Sequence, residues 1–268
     1  MKKGTSAPTG SPVKAVAASV VVENRGSAKA SPITVSVSVY NYRQYIVPCL
    51  ESVGNQTVAE LDLVVVDDGS DDGSLEIVGD WLDKNGDRFN RYRLVRHEVN
   101  SGLAAARNSG FLFARTEAVF VLDADNLLYP RCLERLQAAL DNSAASFAYC
   151  YLEKFGDLSC LQNTAAWDPG ALQYGNIIDA MVLLRKKAWE EVGGYSRLDV
   201  MGWEDFDLWF KMARLGRWGV QIPEILARYR VHGQSMLKNV TNPSVDKLWH
   251  YLRGTYPEFF TDVSEATA

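Results

Sequence analysis

The chain has 268 residues and a net charge of −5 at pH 7. Residues 1–30 contain five Lys or Arg and one Glu, a net charge of +4, so the remainder carries −5 − 4 = −9. An acidic body of this size excludes nucleic acid as the main partner and leaves room for a sizeable hydrophobic core.

The composition predicts three segments. Residues 1–31 are rich in Ala, Ser, Gly, Pro and Lys and are predicted to be a disordered leader or linker. Residues 32–238 hold regular patterns and are predicted to form one domain, divided into a ligand-binding half (32–130) and a variable half (131–238). Residues 239–268 are predicted to be a helix and a tail.

Two further observations concern the cell compartment. None of the four cysteines lies in a Cys-x-x-Cys pair, which argues against a zinc site or a disulfide framework. No apolar run approaches the roughly 20 residues that a membrane-spanning helix needs. The sequence therefore predicts a cytoplasmic chain without a transmembrane span, with peripheral membrane association left open.

Strands and helices alternate through the first half. Alternating or continuous apolar runs predict strands at residues 33–39, 61–66, 91–96 and 118–122. Helical spacing of apolar residues predicts helices at 43–55, 74–84 and 103–114. This order favours a parallel, helix-covered sheet of the doubly wound kind.

The second half has a mixed pattern. Helices are predicted from Pro130 to about residue 142, and at 187–192, 203–215 and about 245–254. Strands are predicted at 146–154, 181–184, 218–222 and 227–231, and residues 155–178 are predicted to be irregular. The chain therefore reads as a regular α/β half followed by a mixed α+β half.

Polar residues follow three of the predicted parallel strands, namely Tyr40-Asn41, Asp67-Asp68 and Asp123-Ala124-Asp125. Ligands bind at the carboxyl ends of the strands in such sheets, so these residues are predicted to share one site. Two carboxylates in one crevice repel each other unless a cation lies beside them, which suits a divalent metal and a diphosphate. No Gly-x-Gly-x-x-Gly follows the first strand, which argues against a dinucleotide oxidoreductase.

The motifs around Asp67-Asp68 and Asp123-Ala124-Asp125, together with four others in this order along the chain, resemble those of the family-2 glycosyltransferases, inverting enzymes with the GT-A fold. The resemblance covers about residues 33–235. It rests on Val66-Asp67-Asp68-Gly69-Ser70, the segment 100–110 (Asn-Ser-Gly-Leu-Ala-Ala-Ala-Arg-Asn-Ser-Gly), Leu122-Asp123-Ala124-Asp125, Val192-Gly193-Gly194-Tyr195, Gly202-Trp203-Glu204-Asp205-Phe206-Asp207-Leu208-Trp209 and Tyr229-Arg230-Val231-His232. It implies a Rossmann-like, mostly parallel central sheet flanked by helices, with a mixed acceptor-side half.

The resemblance implies a donor site for a nucleotide-diphosphate sugar, most simply a UDP-sugar. Asp67 or Asp68 would contact the uracil or the ribose, although Asp-Gly-Ser also builds turns without a ligand. Asp123 would lie near the ribose, and Asp125 would bind Mn²⁺ or Mg²⁺. Three further residues are assigned to the donor, with Tyr40 and Asn41 flanking the base and Arg107 reaching a carboxylate or a phosphate.

The resemblance also implies how the sugar would be transferred. Asp205 would be the general base and Glu204 would hold the acceptor or the donor sugar, although acids in the first turn of a helix often only cap it. Trp203 is equally a sugar platform or a core residue. His232 would meet the metal or the diphosphate, although a lone His is more often structural.

The acceptor stays open between a polysaccharide, a lipid-linked saccharide and a protein. Two rival functions are weighed against transfer to these acceptors. A sugar-phosphate nucleotidyltransferase would need a Gly-rich basic loop after the first strand, where this chain has Tyr40-Asn41-Tyr42-Arg43. A non-catalytic nucleotide-sugar or carbohydrate-binding module would not need to keep Glu204 and Asp205.

Overall fold

The computed structural model describes residues 13–24, 30–233 and 241–260. The first half contains β1 (Ala18–Glu23), β2 (Ile33–Val39), α1 (Ile46–Gly54), β3 (Leu61–Asp67), α2 (Ser74–Asn85), β4 (Arg91–His97), α3 (Leu103–Phe113) and β5 (Ala118–Asp123). The second half contains β6 (Leu127–Leu128), α4 (Cys132–Asp141), β7 (Phe147–Gly156), β8 (Cys160–Gln162), β9 (Leu183–Arg185), α5 (Lys186–Glu191), α6 (Glu204–Arg214), β10 (Gly219–Val231) and α7 (Val245–Thr255). Short 3₁₀ helices lie at Gly86–Arg88, Pro169–Gln173, Asn242–Ser244 and Pro257–Phe259.

The strands form one sheet in the order β1-β4-β3-β2-β5-β9-β7-β10-β6, and β8 pairs with β7. The neighbours β4, β3, β2 and β5 are parallel, as predicted. β9 is antiparallel to both β5 and β7, and β10 is parallel to β7 and antiparallel to β6. The predicted division into a parallel half and a mixed half is thus present in the sheet.

The core lies on both faces of the sheet because alternate side chains of a strand point to opposite faces. On β5, Phe120 and Leu122 pack with α1, α2 and α4 on one face. Val119 and Val121 pack with α3, α5, α6 and α7 on the other. A strand that is buried on both faces reads as a continuous apolar run, which explains why the parallel strands were predictable from the sequence.

Two predicted features are corrected by the structure. Residues 18–23 belong to the segment predicted to be disordered, but they form β1, which pairs antiparallel with β4. The strands predicted at 218–222 and 227–231 are one strand, β10, whose pairing with β7 is irregular between Ile222 and Ala227. Pro223 lies within this irregularity and cannot donate a backbone hydrogen bond, so a bulge replaces regular pairing.

Some predictions fall on residues outside the described ranges. These are the disorder predicted for residues 1–12 and 25–29, the end of the predicted domain at 234–238, the start of the C-terminal segment at 239–240 and the tail at 261–268. Within the described ranges, residues 160–162 form a short strand in the segment predicted to be irregular. No described helix is long and apolar enough to cross a membrane.

The helix α7 packs against α6 through aromatic rings. Trp249 lies 5.1 Å from Trp203 and 5.7 Å from Phe206 between ring centroids. Beneath these rings the fully buried Asp207 carboxylate accepts hydrogen bonds from the hydroxyls of Tyr251 and Tyr256, at 2.9 and 2.6 Å. The N-terminal end of α6, which carries Glu204 and Asp205, is therefore held from behind by α7.

Candidate active site

A cleft of about 760 Å³ opens where β2, β5 and β10 end. It follows the carboxyl edge of the parallel strands, the position predicted for the ligand. The segment before β9 and the first turn of α6 form its opposite wall. All the predicted site residues except Asp67 line this cleft, namely Tyr40, Asn41, Asp68, Arg107, Asp123, Asp125, Trp203, Glu204, Asp205 and His232.

The loop after β2 is shaped by Asn41. Its φ of +55° lies in the left-handed region, which Asn tolerates better than most residues. Its backbone N–H donates to Ser70 Oγ at 3.0 Å, and its Oδ1 accepts from the backbone N–H of Asp71 at 3.0 Å. These bonds join the loops after β2 and β3 and leave the ring of Tyr40, which is 44% exposed, in the wall of the cleft.

The two acids at the end of β3 have different surroundings. Asp67 is fully buried, and its Oδ2 accepts from the backbone N–H of Ser70 at 3.2 Å, so it holds the turn. Asp68 lines the cleft and accepts from the backbone N–H groups of Ser101 and Gly102, at 2.9 and 2.8 Å. Of the two candidates for the nucleotide contact, only Asp68 faces the cleft.

Asp68, His97 and Ser109 form a hydrogen-bonded chain like that of a nucleophilic triad. His97 Nδ1 lies 2.6 Å from Asp68 Oδ1, and His97 Nε2 lies 2.8 Å from Ser109 Oγ. All three side chains are buried, with His97 fully inaccessible, so no substrate can reach the Ser109 hydroxyl. These hydrogen bonds therefore connect α3 to the end of β3, and the three side chains do not form a nucleophilic site.

Arg107 and Asp123 form a buried ion pair on the floor of the cleft. Arg107 Nη2 lies 2.9 and 3.2 Å from the two carboxylate oxygens of Asp123. Arg107 is 4% exposed, whereas the Asp123 side chain is 27% exposed. Burial alone would lower the pKa of Arg107, but Asp123, Tyr195 and the acids Asp205 and Glu204 raise it, so the guanidinium stays charged.

The second acid after β5 faces the end of β10. Asp125 Oδ2 lies 3.1 Å from His232 Nε2. Burial and the neighbouring Asp123 raise the pKa of Asp125, and the contact with His232 opposes this. The next residue, Asn126, accepts at Oδ1 from the backbone N–H of Arg230 at 2.9 Å, which joins β10 to the loop after β5.

The Asp125–His232 pair is the candidate metal site. No group of three or more His, Cys, Asp or Glu side chains suited to a metal ion occurs in the part of the chain that the structure describes. The pair nevertheless offers one carboxylate oxygen and one imidazole nitrogen, while Arg107 engages Asp123. Two protein ligands fit an ion that takes its remaining ligands from diphosphate oxygens and water.

The first turn of α6 places two acids in the cleft. Asp205 Oδ2 accepts from Asn176 Nδ2 at 2.9 Å, and its Oδ1 accepts from the backbone N–H of Phe206 at 2.8 Å. Glu204 Oε2 accepts from the backbone N–H of Gly202 at 2.9 Å. Burial raises the pKa of both carboxyls, and the positive charge of Arg107 opposes this shift. Each therefore ionises less readily than it would in water and is a stronger base once ionised.

Trp203 lies between the cleft and the packed core. It lines the cleft on one side. On the other, its ring meets Phe206 edge-on at 5.3 Å and Trp249 at 5.1 Å, so it also belongs to the packing between α6 and α7. A ring fixed in this way is a rigid surface, which suits contact with a sugar face.

Sequence analysis expected residues 155–178 to help to shape the acceptor pocket but named no individual site residue in the segment before β9. Asn176 and Asp179 line the cleft, although they lie in or just after the stretch predicted to be irregular. Burial and the neighbouring Asp205 carboxylate raise the pKa of Asp179 to about 7. Tyr229, which precedes the predicted His232 by three residues, also lines the cleft. The acidic residue types were visible in the sequence, but nothing in their spacing indicated the site.

The parallel sheet, the cleft at its carboxyl edge and the acids that converge there agree with the GT-A class of protein that the resemblance implies. A family model narrows this class. The model described as "Glycosyl transferase family 2" matches residues 34–168, about half of the chain. The chain belongs to this family, as the resemblance predicted.

Relatives and solved structures agree with this assignment. Glycosyltransferase GlyG of Streptococcus pneumoniae is 34% identical over 104 residues, which are 39% of this chain and 33% of GlyG. The crystal structure of S. aureus TarS 1–349 in complex with UDP-GlcNAc superposes with a TM-score of 0.66 at 19% identity, over 77% of this chain and 60% of that chain. Mannosyltransferase PcManGT from Pyrobaculum calidifontis, in complex with GDP-Man and Mn²⁺, gives 0.61 at 22% identity, over 78% and 59%.

The structural likenesses confirm the predicted GT-A fold. The chain spans a third of GlyG and about three fifths of the two solved chains. Donor, acceptor and mechanism are therefore matters for proposal.

Proposed function

We propose that this glycosyltransferase is inverting and metal-dependent, and that it moves a sugar from a UDP-sugar to an acceptor hydroxyl with Asp205 as the general base. One observation carries the proposal. The cleft holds the Asp125–His232 pair where β5 and β10 end, and the Asp205 carboxylate on the wall that α6 supplies. A donor whose diphosphate lies at the Asp125–His232 pair would present its sugar toward Asp205.

The contacts of Asp205 suit a base. Asn176 and the Phe206 N–H each bind one carboxylate oxygen, which orients the group and leaves lone pairs for a hydroxyl. In the proposed step the acceptor O–H gives its proton to Asp205 while the acceptor oxygen attacks the anomeric carbon. The bond from that carbon to the diphosphate oxygen breaks, and the diphosphate leaves with the electron pair. This single displacement inverts the anomeric centre and requires no covalent intermediate.

Asp125 and His232 would hold the divalent ion, Mn²⁺ or Mg²⁺. When bound, the ion would supply positive charge against the leaving diphosphate. Asp68 and the ring of Tyr40 lie on the nucleotide side of the cleft and are proposed to contact the base and ribose, with Asn41 shaping the loop. Asp123 would contact the ribose while Arg107 holds its carboxylate, and Glu204 and Trp203 would hold the sugar.

The acceptor is proposed to be a saccharide hydroxyl, whether free, lipid-linked or on a protein. A lipid-linked acceptor would require the enzyme to associate with a membrane surface. The proposed donor is a UDP-sugar, which differs in its base from the GDP-Man in the PcManGT complex.

The test begins with thermal protection and donor hydrolysis, measured for a panel of UDP- and GDP-sugars with Mn²⁺, Mg²⁺ or EDTA. We expect protection by one UDP-sugar that requires the metal ion. Asp205→Asn should keep this protection but lose at least 100-fold in transfer, because the amide cannot take a proton. Asp246→Asn, the same change at an exposed position on α7, is the matched control and should transfer normally.

Three outcomes would contradict parts of the proposal. Retention of full transfer by Asp205→Asn would exclude Asp205 as the base. A product with the anomeric configuration of the donor would exclude inversion. No response to any donor, with or without metal, would overturn the proposed donor class.

A further inference from the structure

Asp179 is an acid of the cleft that the proposed chemistry does not use. It lies in the segment that leads into β9, and its side chain lines the cleft together with Asp205. The motifs that resemble the family do not include it. Its contacts show which part of its carboxylate is free to meet a ligand.

The backbone of this segment fixes the Asp179 side chain. Oδ1 accepts from the backbone N–H of Met181 at 3.0 Å, and the Asp179 backbone N–H donates to Asn163 Oδ1 at 2.9 Å. Asn163 is itself buried and has a left-handed φ of +60°. Within the described ranges no side chain or backbone group bonds to Oδ2 of Asp179. One oxygen of a fixed carboxylate is therefore available to the cleft.

The strand order places Asp179 on the acceptor side. The donor-side residues follow β3, β2 and β5, whereas β9 lies beyond β5, next to β7. Asn176, three residues before Asp179, donates directly to Asp205 Oδ2, so this segment runs along the proposed base. Tyr229 on β10 lines the same end of the cleft. A hydroxyl-bearing group that reaches Asp205 would meet Asp179 beside it.

The charges around Asp179 are compatible with binding a hydroxyl. Burial and the neighbouring carboxylates of Asp205 and Asp123 raise its pKa to about 7, and the Met181 N–H and Arg107 oppose this shift. A carboxyl group in this range accepts a hydrogen bond from a hydroxyl when ionised and donates one when protonated. The ionised form is the one that would hold the sugar hydroxyl, because its free Oδ2 accepts from the O–H, whereas an Asn side chain would place an N–H donor at that position.

We propose that Asp179 is an acceptor-binding residue, which holds the hydroxyl next to the one that Asp205 deprotonates. The acceptor is then a saccharide with two neighbouring hydroxyls, and Asp179 selects which of them reacts. The inference rests on the proposed function, because it takes Asp205 as the base. It extends that function by naming a second acceptor contact and the chemical class that the contact recognises.

Asp179→Asn is a suitable variant because Asn Oδ1 can still accept from the Met181 N–H, so the segment should keep its conformation. The acceptor probes are methyl glycosides of common hexoses, and the best of them is compared with its deoxy analogues. In the wild type, removal of the hydroxyl next to the reacting one should lower kcat/KM by at least ten-fold. In Asp179→Asn the same deletion should change kcat/KM by less than three-fold.

Donor hydrolysis is the control measurement, since water has no neighbouring hydroxyl. The rate of donor hydrolysis by Asp179→Asn normalises its transfer rates for any effect on Asp205, and its KM for the donor should be unchanged. Asp246→Asn should show the full ten-fold penalty for the deoxy acceptor. A residue with only a structural role would not remove the dependence on one particular hydroxyl.

Each contrary result has a definite meaning. If removal of the hydroxyl lowers kcat/KM equally in the wild type and in Asp179→Asn, the assignment of Asp179 is overturned while the proposed function stays intact. A change confined to the KM of the donor would overturn it as well, and so would donor hydrolysis without transfer to any methyl glycoside. A wild type that neither hydrolyses nor transfers any nucleotide-sugar would overturn the proposed function itself.

Discussion

The ion pair between Arg107 and Asp123 makes an asymmetric prediction about stability. Arg107 is 4% exposed, so Asp123→Asn leaves a buried guanidinium without its main counter-charge. Loss of one partner of a buried pair costs 3–5 kcal/mol. We expect about 3 kcal/mol here, because Glu204 and Asp205 still supply negative charge near Arg107. At 2–4 °C per kcal/mol, Tm should fall by about 6–12 °C.

The reverse change should cost less. Arg107→Met leaves an Asp123 carboxylate that is already 27% exposed and can be hydrated from the cleft, so we expect a loss of about 1–2 kcal/mol. The double variant should be more stable than Asp123→Asn alone, because it removes the unpaired buried charge. Urea denaturation at pH 7 measures all three free energies of unfolding. The reasoning is refuted if Arg107→Met is the more damaging single change, or if the two single effects simply add.

Three shorter predictions follow from other contacts. The pKa of Asp179 is raised from 3.8 to about 7, so the stability that this carboxyl contributes is present below pH 4 and is lost as the pH rises through 7. Relative to wild type, Asp179→Asn should therefore gain up to about 4 kcal/mol of unfolding free energy between pH 4 and pH 8. A difference between the two proteins that does not change with pH in urea titrations would contradict this. Asp125→Asn should abolish the thermal protection that the donor gives with Mn²⁺, and unchanged protection by the donor with Mn²⁺ would exclude Asp125 as a metal ligand. Gly202→Ala should lower the free energy of unfolding by about 2 kcal/mol or more, because Gly202 has a φ of +121° and a Cβ there would lie 1.7 Å from Thr241 Oγ1. A variant that is as stable as the wild type in calorimetry would contradict this prediction.

The sequence predicted β3 and β5 well because burial on both faces gives a nearly continuous apolar run, and it predicted β2 because β-branched apolar residues alternate there with Thr and Ser. The strand β1 was missed for the opposite reason. Its residues lie next to a stretch of low complexity, and what makes them a strand is pairing with β4, about 70 residues later in the chain. No local pattern records such a partner. The irregular pairing around Pro223 likewise made one long strand look like two.

The candidate site was predictable wherever a motif ends a strand or begins a helix. The family resemblance named Asp67 and Asp68 together, and only the structure separates the buried turn-forming acid from the one in the cleft. Asp179 was not predicted as a site residue because the apolar residues of its segment show no helical or strand periodicity. Its position depends on hydrogen bonds to Asn163 and Met181, which are set by the folded chain and not by spacing.

The packing of α7 on α6 has a consequence for how the protein is made. During synthesis, β2 to β5 all leave the ribosome before α6, so the proposed donor side can assemble early. The first turn of α6, by contrast, rests on Trp249, Tyr251 and Tyr256, which leave the ribosome about 40 residues later. We therefore expect nascent chains to bind nucleotide before they can transfer sugar, because the proposed base is positioned only after α7 has been made.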